Sequence, residues 1–243
     1  MNTFIVTVDG FSISFGNTQV IDNLSFKVKR GETFGLLGSN GSGKTTIIRT
    51  LLGIYIPTAG SLTIDGEPFD VSGDIKLGYL PEERGLYKKE KVLDVMIYFG
   101  KLKGLSADEA RDWSLGYLSK VELADKANTK IDKLSGGQQQ KIQLGITIMG
   151  NPELLILDEP TKGFDPINRR LLMDIVEQHQ SKGATVIFIT HQMEEVERLC
   201  DRILLLKNGQ AAAYGSVQEV RKKFGGKNLD SIFIEIYGGR DDA

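Results

Sequence analysis

The stretch Thr33-Phe34-Gly35-Leu36-Leu37-Gly38-Ser39-Asn40-Gly41-Ser42-Gly43-Lys44-Thr45-Thr46 decides the fold. Its first five residues form an apolar segment of strand length. The residues after it, Ile47-Ile48-Arg49-Thr50-Leu51-Leu52, read as a helix. Strand, glycine loop, helix is the context that a phosphate-binding loop needs. The glycines let the backbone curl so that successive N–H groups point inward. A helix that begins near Lys44 aims its positive dipole end at the same place. Lys44 is then placed to reach the β- and γ-phosphates of a nucleoside triphosphate, and the Thr45 hydroxyl to hold Mg²⁺. A glycine-rich turn with no ligand is the bland alternative, and the strand-to-helix context argues against it.

Upstream of this loop the pattern predicts short strands. Residues 4–8 are expected to form an edge strand. Phe11, Ile13 and Phe15 alternate with Ser12 and Ser14, the period of a half-buried strand. A further strand is expected at residues 24–28. Downstream, residues 57–60 end the first helix, and residues 61–64 make a short strand closed by the Asp65-Gly66 turn. A strand ends near Leu80. Residues 82–150 are then mostly helical in pattern. Val92, Val95, Met96 and Phe99 are spaced for one helix face, and Leu115, Leu118 and Val121 for another. Both sets are expected to be core.

The strand pattern resumes at Leu154-Leu155-Ile156-Leu157. A helix is expected at residues 167–178. Thr185-Val186-Ile187-Phe188-Ile189 is a continuous apolar run, typical of a parallel strand covered on both faces. Residues 194–200 read as helix, with Cys200 as a small core residue. Residues 203–206 and 211–214 read as a strand pair turned at Asn208-Gly209. A helix over 216–224 is expected to be capped by Ser216. Residues 232–236 alternate like one more strand, and the chain from Gly238 on reads as frayed.

Composition narrows the function. The 243 residues carry a net charge of −2, so no basic excess is available to neutralise nucleic-acid phosphates, and no nucleic-acid partner is expected. A single cysteine rules out an intramolecular disulfide framework and fits a reducing compartment. The start Met1-Asn2-Thr3-Phe4 has no secretory pattern. No run of about 18 apolar residues occurs, so any membrane association is expected to come through a partner.

Two further stretches carry chemistry. The apolar run at 154–157 ends in Asp158-Glu159, and carboxylates at the carboxyl end of a parallel strand face the ligand crevice. Asp158 is suited to hold Mg²⁺ through water, and Glu159 to orient or deprotonate an attacking water. In Leu134-Ser135-Gly136-Gly137-Gln138-Gln139-Gln140-Lys141, Ser135 can cap a helix that starts at the glycines. Their small size leaves its N-terminal N–H groups open to an anion.

This last stretch resembles the signature motif of the ATP-binding-cassette (ABC) family, and the other motifs follow in that family's order. The loop from Gly38 to Thr46 resembles its Walker A motif and the run ending at Asp158 and Glu159 its Walker B motif. Phe15, before Gly16, stands where the family places an aromatic residue that stacks on adenine; packing with Phe11 and Ile13 is the alternative. Asp165, in Gly163-Phe164-Asp165-Pro166, resembles the D-loop aspartate that touches a facing subunit. His191, after Ile189-Thr190, resembles the switch histidine that senses the γ-phosphate. The other histidine, His179, reads as surface.

The resemblance implies an α/β fold: a P-loop NTPase core with an N-terminal antiparallel β subdomain and an inserted α-helical subdomain. It implies an ATPase domain over residues 1–225, with the helical subdomain at about 83–150, and a short extension at 226–243. It also implies ATP and Mg²⁺ as cofactors, with Ser135, Gly136, Gly137 and Gln138 closing over the ATP of a second subunit in a homodimer. An integral membrane permease is the further partner implied, which places the chain on the cytoplasmic side of the membrane. A soluble ABC ATPase acting on the ribosome or on nucleic acid is the alternative function.

Three positions depart from the family pattern. Glu82 stands where glutamine usually contacts Mg²⁺ and the attacking water; a carboxylate can also bind Mg²⁺ but brings extra negative charge. In Lys162-Gly163-Phe164-Asp165, lysine and phenylalanine replace the usual serine and leucine. The run Pro81-Glu82-Glu83-Arg84-Gly85-Leu86-Tyr87 resembles a subgroup that energises small exporter permeases for drugs, antibiotics or sodium.

Overall fold

The computed structural model describes residues 3–69, 75–83 and 85–238. Arg84 and the chain past Gly238, the end read above as frayed, lie outside the described residues. In chain order the elements begin with strands β1 (Phe4–Phe15), β2 (Thr18–Lys29) and β3 (Thr33–Leu37), and helix α1 (Lys44–Leu51). Strands β4 (Ala59–Ile64) and β5 (Leu77–Leu80) follow, then helices α2 (Val92–Leu102), α3 (Ala107–Lys120) and α4 (Gly136–Ile148). Next come strand β6 (Leu154–Asp158), helix α5 (Pro166–Ser181), strand β7 (Thr185–Ile189) and helix α6 (Met193–Leu199). Strands β8 (Arg202–Lys207) and β9 (Gln210–Ser216) and helices α7 (Val217–Lys223) and α8 (Leu229–Tyr237) complete the chain. The chain divides into two compact units, Met1–Ile75 with Thr185–Ala243, and Lys76–Ala184.

The first unit holds two sheets. One is antiparallel, in the order β2-β1-β4. Residues 4–8 are therefore not an edge strand: Val6 pairs with Val28 on one side and Ile64 on the other. The two strands expected over 4–15 are one strand with a bulge. Val6 and Val8 are buried before Gly10, and Phe11 and Ile13 after it, so the buried phase slips by one residue. Gly10 has a left-handed backbone (φ 58°), and β1 uses one more residue than β2 between the pairs Val8–Phe26 and Phe11–Leu24. A broken period in the sequence thus marks a bulge here, not a strand end.

In the second sheet of this unit β3 lies between β7 and β8, parallel to both, and β9 runs antiparallel to β8. Every residue of β3 and β7 is buried, as the continuous apolar runs predict. Each fully buried Leu, Ile or Phe side chain contributes about 1.5–3 kcal/mol relative to exposure. Cys200 is buried at the end of α6, and burial raises its thiol pKa well above the ordinary range.

The expected strand at 232–236 is helix α8. Asn228 caps it, its side chain accepting from the Ser231 N–H. Leu229 and Ile232 are buried and Phe233 and Ile236 half-buried, a spacing of three, four and seven residues. The apolar run over 232–236 satisfied either period, and the cap decides for helix.

In the second unit β5 and β6 pair in parallel, and α4 packs against β5 and the hairpin of α2 and α3. Val92, Val95 and Met96 are buried as expected. On α3 the buried face is Ala110, Ser114, Tyr117 and Leu118, while Leu115 is exposed, which corrects the expected stripe. The Tyr117 hydroxyl donates to the Lys141 carbonyl at 2.7 Å and its ring lies against Gly145, where a Cβ would come within 2.4 Å of it. His179 is half-buried rather than fully exposed, and burial, with Lys182 and Lys120 nearby, lowers its pKa.

Candidate active site

In the first unit the phosphate loop leaves the carboxyl end of β3. A Cβ at Gly38 would lie 2.5 Å from Ser42 Oγ and 2.6 Å from the Leu206 carbonyl, so only glycine fits there. Gly43 sits at φ 109° and serves as the N-cap of α1 with no side-chain cap. The first-turn N–H groups of α1 therefore have no capping side chain, which leaves them directed at the loop. Ser42 Oγ is buried with no hydrogen-bond partner among the described residues. An unsatisfied buried hydroxyl beside an uncapped helix start fits an anion ligand such as a phosphate. The Lys44 ammonium donates to the Gly38 and Ser39 carbonyls, each at 2.9 Å, and so spans the loop. Ser39, Asn40, Gly41 and Thr45 are exposed, and Thr46 is half-buried, its carbonyl accepting from Thr50 Oγ1 at 2.8 Å.

Strand register places His191 at the same edge. Leu36 pairs with Ile189, so the loops holding Gly38 and His191 leave adjacent parallel strands at equivalent points. His191 is exposed. The turn beneath it is fixed by Thr190, whose buried hydroxyl donates to Glu195 at 3.0 Å and accepts from the Gln192 N–H at 3.1 Å. Phe15 is 45% exposed while Phe11 and Ile13 are buried. Core packing with them is excluded. Its ring meets Tyr55 edge to face, with centroids 5.1 Å apart.

In the second unit Leu80 pairs with Leu157, so Glu82 and Glu159 leave β5 and β6 at equivalent points. Asp158 and Glu159 are both buried. Glu159 has φ 47°, a left-handed conformation that costs a residue with a Cβ about 1–2 kcal/mol. Strain at this position turns the chain directly after the strand and fixes where the second carboxylate stands.

Glu82 forms an ion pair with Lys162, Oε1 to Nζ at 2.5 Å. Glu82 foremost, and then Glu159 and Asp158, raise the Lys162 ammonium's pKa. Both loops are held by α4: Gln143 donates to the Glu83 carbonyl at 3.2 Å and Gln140 to the Pro160 carbonyl at 3.3 Å. Lys162, Gln140 and Gln143 were not singled out as site residues from the sequence. The glutamines' signal was their i, i+3 spacing, which puts both on one face of a helix.

Ser135 caps α4 in a full capping box, accepting from the Gln138 N–H while Gln138 Oε1 accepts from the Ser135 N–H. Ser135 is exposed and Gly136, Gly137 and Gln138 are half-buried. Gly137 lies against the Phe164 ring. Asp165 caps α5, accepting from the Ile167 and Asn168 N–H groups at 3.0 and 2.9 Å, and these bonds lower its pKa.

A phosphate loop between a buried parallel strand and an uncapped helix defines a P-loop nucleotide-binding protein. The family model for ABC transporters matches residues 21–162. This chain belongs to that family as an ATP-binding subunit of a transporter. It is 44% identical to an uncharacterised ABC transporter ATP-binding protein of Methanocaldococcus jannaschii, over 90% of this chain and 80% of that one. It is 36% identical to a Nod factor export ATP-binding protein of Rhizobium sp. (98% of this chain, 78% of the relative). It is also 36% identical to a linearmycin resistance ATP-binding protein of Bacillus subtilis (91% and 72%). A solved ATP-binding subunit of an ABC transporter superposes with a TM-score of 0.86 at 28% identity, covering 96% of this chain and 99% of the other. The expected fold class, an ABC ATPase fold with antiparallel and parallel sheets, is thereby established.

Proposed function

We propose that this chain hydrolyses ATP as one half of a head-to-tail homodimer and thereby drives export through a separate membrane permease. The observation that carries this reading is that one chain presents both a phosphate loop and a capped glycine helix start. Each copy can then supply Gly38 to Thr46 to one nucleotide and Ser135, Gly136, Gly137 and Gln138 to the other. Two equivalent sites follow.

Lys44 exchanges its two carbonyl contacts for phosphate oxygens, and the uncapped α1 N–H groups bind the same phosphates. The Thr45 hydroxyl and Asp158 would hold Mg²⁺, which would supply charge neutralisation at the phosphates. Glu159 accepts a proton from the attacking water, and His191 donates toward the γ-phosphate. Phe15 and Tyr55 offer an aromatic surface for the base. Asp165 contacts the facing subunit. Loss of the γ-phosphate removes the bridge between copies and lets the dimer open.

Export is supported by the Pro81 to Tyr87 resemblance and by the relatives named for Nod factor export and linearmycin resistance. Among the described residues no helix is long and apolar enough to cross a membrane. The net charge of −2 disfavours the nucleic-acid alternative.

Glu159→Gln is the test. It is expected to slow hydrolysis by two or more orders of magnitude, in keeping with the loss of a general base (about 10²–10⁴-fold). It is also expected to accumulate an ATP-bound dimer, read by light scattering after gel filtration. A chain that stays monomeric in saturating ATP–Mg²⁺ refutes the dimer mechanism.

A further inference from the structure

Two of the three residues that set this chain apart from its family's usual pattern, Glu82 for glutamine and Lys162 for serine, are bonded to each other. Eighty positions separate them, yet Glu82 Oε1 lies 2.5 Å from Lys162 Nζ. The pair joins the loop after β5 to the loop after β6. Each loop is anchored to α4 by its own glutamine, Gln143 at the Glu83 carbonyl and Gln140 at the Pro160 carbonyl. The ion pair adds a direct tie between the two loops. Lys162 is also within electrostatic reach of Glu159 and Asp158, so one cation faces three carboxylates. The pair borders a cavity of about 680 Å³ lined also by Glu83, Lys88, Gln139 and Gly163.

Folding does not explain the pair. Both side chains are well exposed, at 60% and 45%, and exposed ion pairs contribute little to stability. Charge balance does explain it. ATP–Mg²⁺ is a polyanionic ligand, and a third carboxylate beside Asp158 and Glu159 disfavours its approach unless a cation offsets it. Serine at 162 supplies no such cation, and glutamine at 82 needs none.

We propose that Lys162 is a positioning residue that holds Glu82 and cancels its charge, so that the two work as a single unit linking the loops after β5 and β6. Lys162 is then not replaceable while Glu82 is present, whereas Glu82→Gln with Lys162→Ser is tolerated. The proposal deepens the ATPase reading and rests on it for its kinetic arm alone.

The experiment is a double-substitution cycle on the full chain with Glu82→Gln, Lys162→Ser, both together, and Lys162→Arg. Thermal unfolding of each variant is expected to match the parent, which isolates the electrostatic effect. Lys162→Ser is expected to raise KM for ATP–Mg²⁺ about fivefold, more at low than at high salt, with kcat changed less. The double variant is expected to return KM to within about twofold of the parent, and Lys162→Arg to retain it. In nucleotide-free protein, amide exchange of residues 81–83 and 160–163 is expected to quicken in Lys162→Ser, with no further increase in the double variant. Independent, multiplying effects of the two substitutions in both readouts overturn the proposal. A parent chain that neither binds nor hydrolyses ATP refutes the functional reading instead, and the exchange arm still decides whether the pair couples the loops.

Discussion

The Tyr237 hydroxyl donates a 3.0 Å hydrogen bond to the Leu206 carbonyl, the same carbonyl that leaves no room for a side chain at Gly38. Helix α8 therefore braces the strand backing the phosphate loop, and Lys207 Nζ adds a second tie at the Ile236 carbonyl, 2.8 Å away. Tyr237→Phe removes one of these bonds and keeps the ring. The expected result is a loss of about 1 kcal/mol in denaturant unfolding. Weaker nucleotide binding without a change in kcat is expected alongside it.

Gly38 and Gly41 separate close approach from backbone strain. At Gly38 a Cβ meets Ser42 Oγ and the Leu206 backbone oxygen, while at Gly41 nothing among the described residues lies within 4 Å of it and φ 79° is what opposes a side chain. Backbone cannot give way as a flexible side chain does. Gly38→Ala is expected to abolish binding of a fluorescent ATP analogue. Gly41→Ala is expected to weaken it by no more than the strain of about 1–2 kcal/mol, or about fivefold to thirtyfold. Equal effects at the two positions contradict this.

Glu159 combines a functional side chain with an unfavourable backbone, φ 47°. Alanine there keeps the strain and glycine relieves it. Glu159→Gly is expected to unfold at a higher temperature than Glu159→Ala, because relief of about 1–2 kcal/mol of strain exceeds the roughly 0.4–1 kcal/mol that glycine costs through the unfolded chain's entropy, although both lack ATPase activity. The opposite order in calorimetry excludes stored backbone strain at this site.

Lys103 gives a pH dependence with a definite sign. Its ammonium donates to the Thr147 and Met149 carbonyls at the end of α4, and burial lowers its pKa from 10.5 to about 8. Between these two values the unfolded chain binds more protons than the folded one, so this group makes stability rise with pH from about 8 to 10.5. The full span corresponds to up to about 3 kcal/mol. Lys103→Met removes that rise. The stability of the parent minus that of Lys103→Met, measured by urea unfolding, should therefore climb across this window and stay level below it.

Local features were legible in the sequence. The phosphate loop is contiguous, and its glycines, lysine and threonine carry their meaning by spacing alone. The caps at Ser135 and Ser216 were legible for the same reason: each acts on an N–H three residues away. Periodicity failed where two readings fit one pattern. The run 232–236 suited strand or helix, and the broken alternation at Gly10 suited a strand end or a bulge. Leu115 was misplaced because three apolar residues on α3 cannot say how wide the buried face is. The Gly100 and Gly145 backbones that receive Ala110 and Tyr117 rotate that face away from Leu115.

The sequence by itself determined the class of ligand, the family and the order of the motifs, because these depend on residues within a few positions of one another. Tertiary structure alone decided that Phe15 is exposed beside Tyr55, that Tyr237 braces the strand behind Gly38, and that Glu82 pairs with Lys162. The physical reason is distance along the chain. Glu82 and Lys162 are joined only because β5 and β6 pair in register and α4 holds the loop after each. Read singly they were two unrelated departures from a pattern; in the fold they are one ion pair.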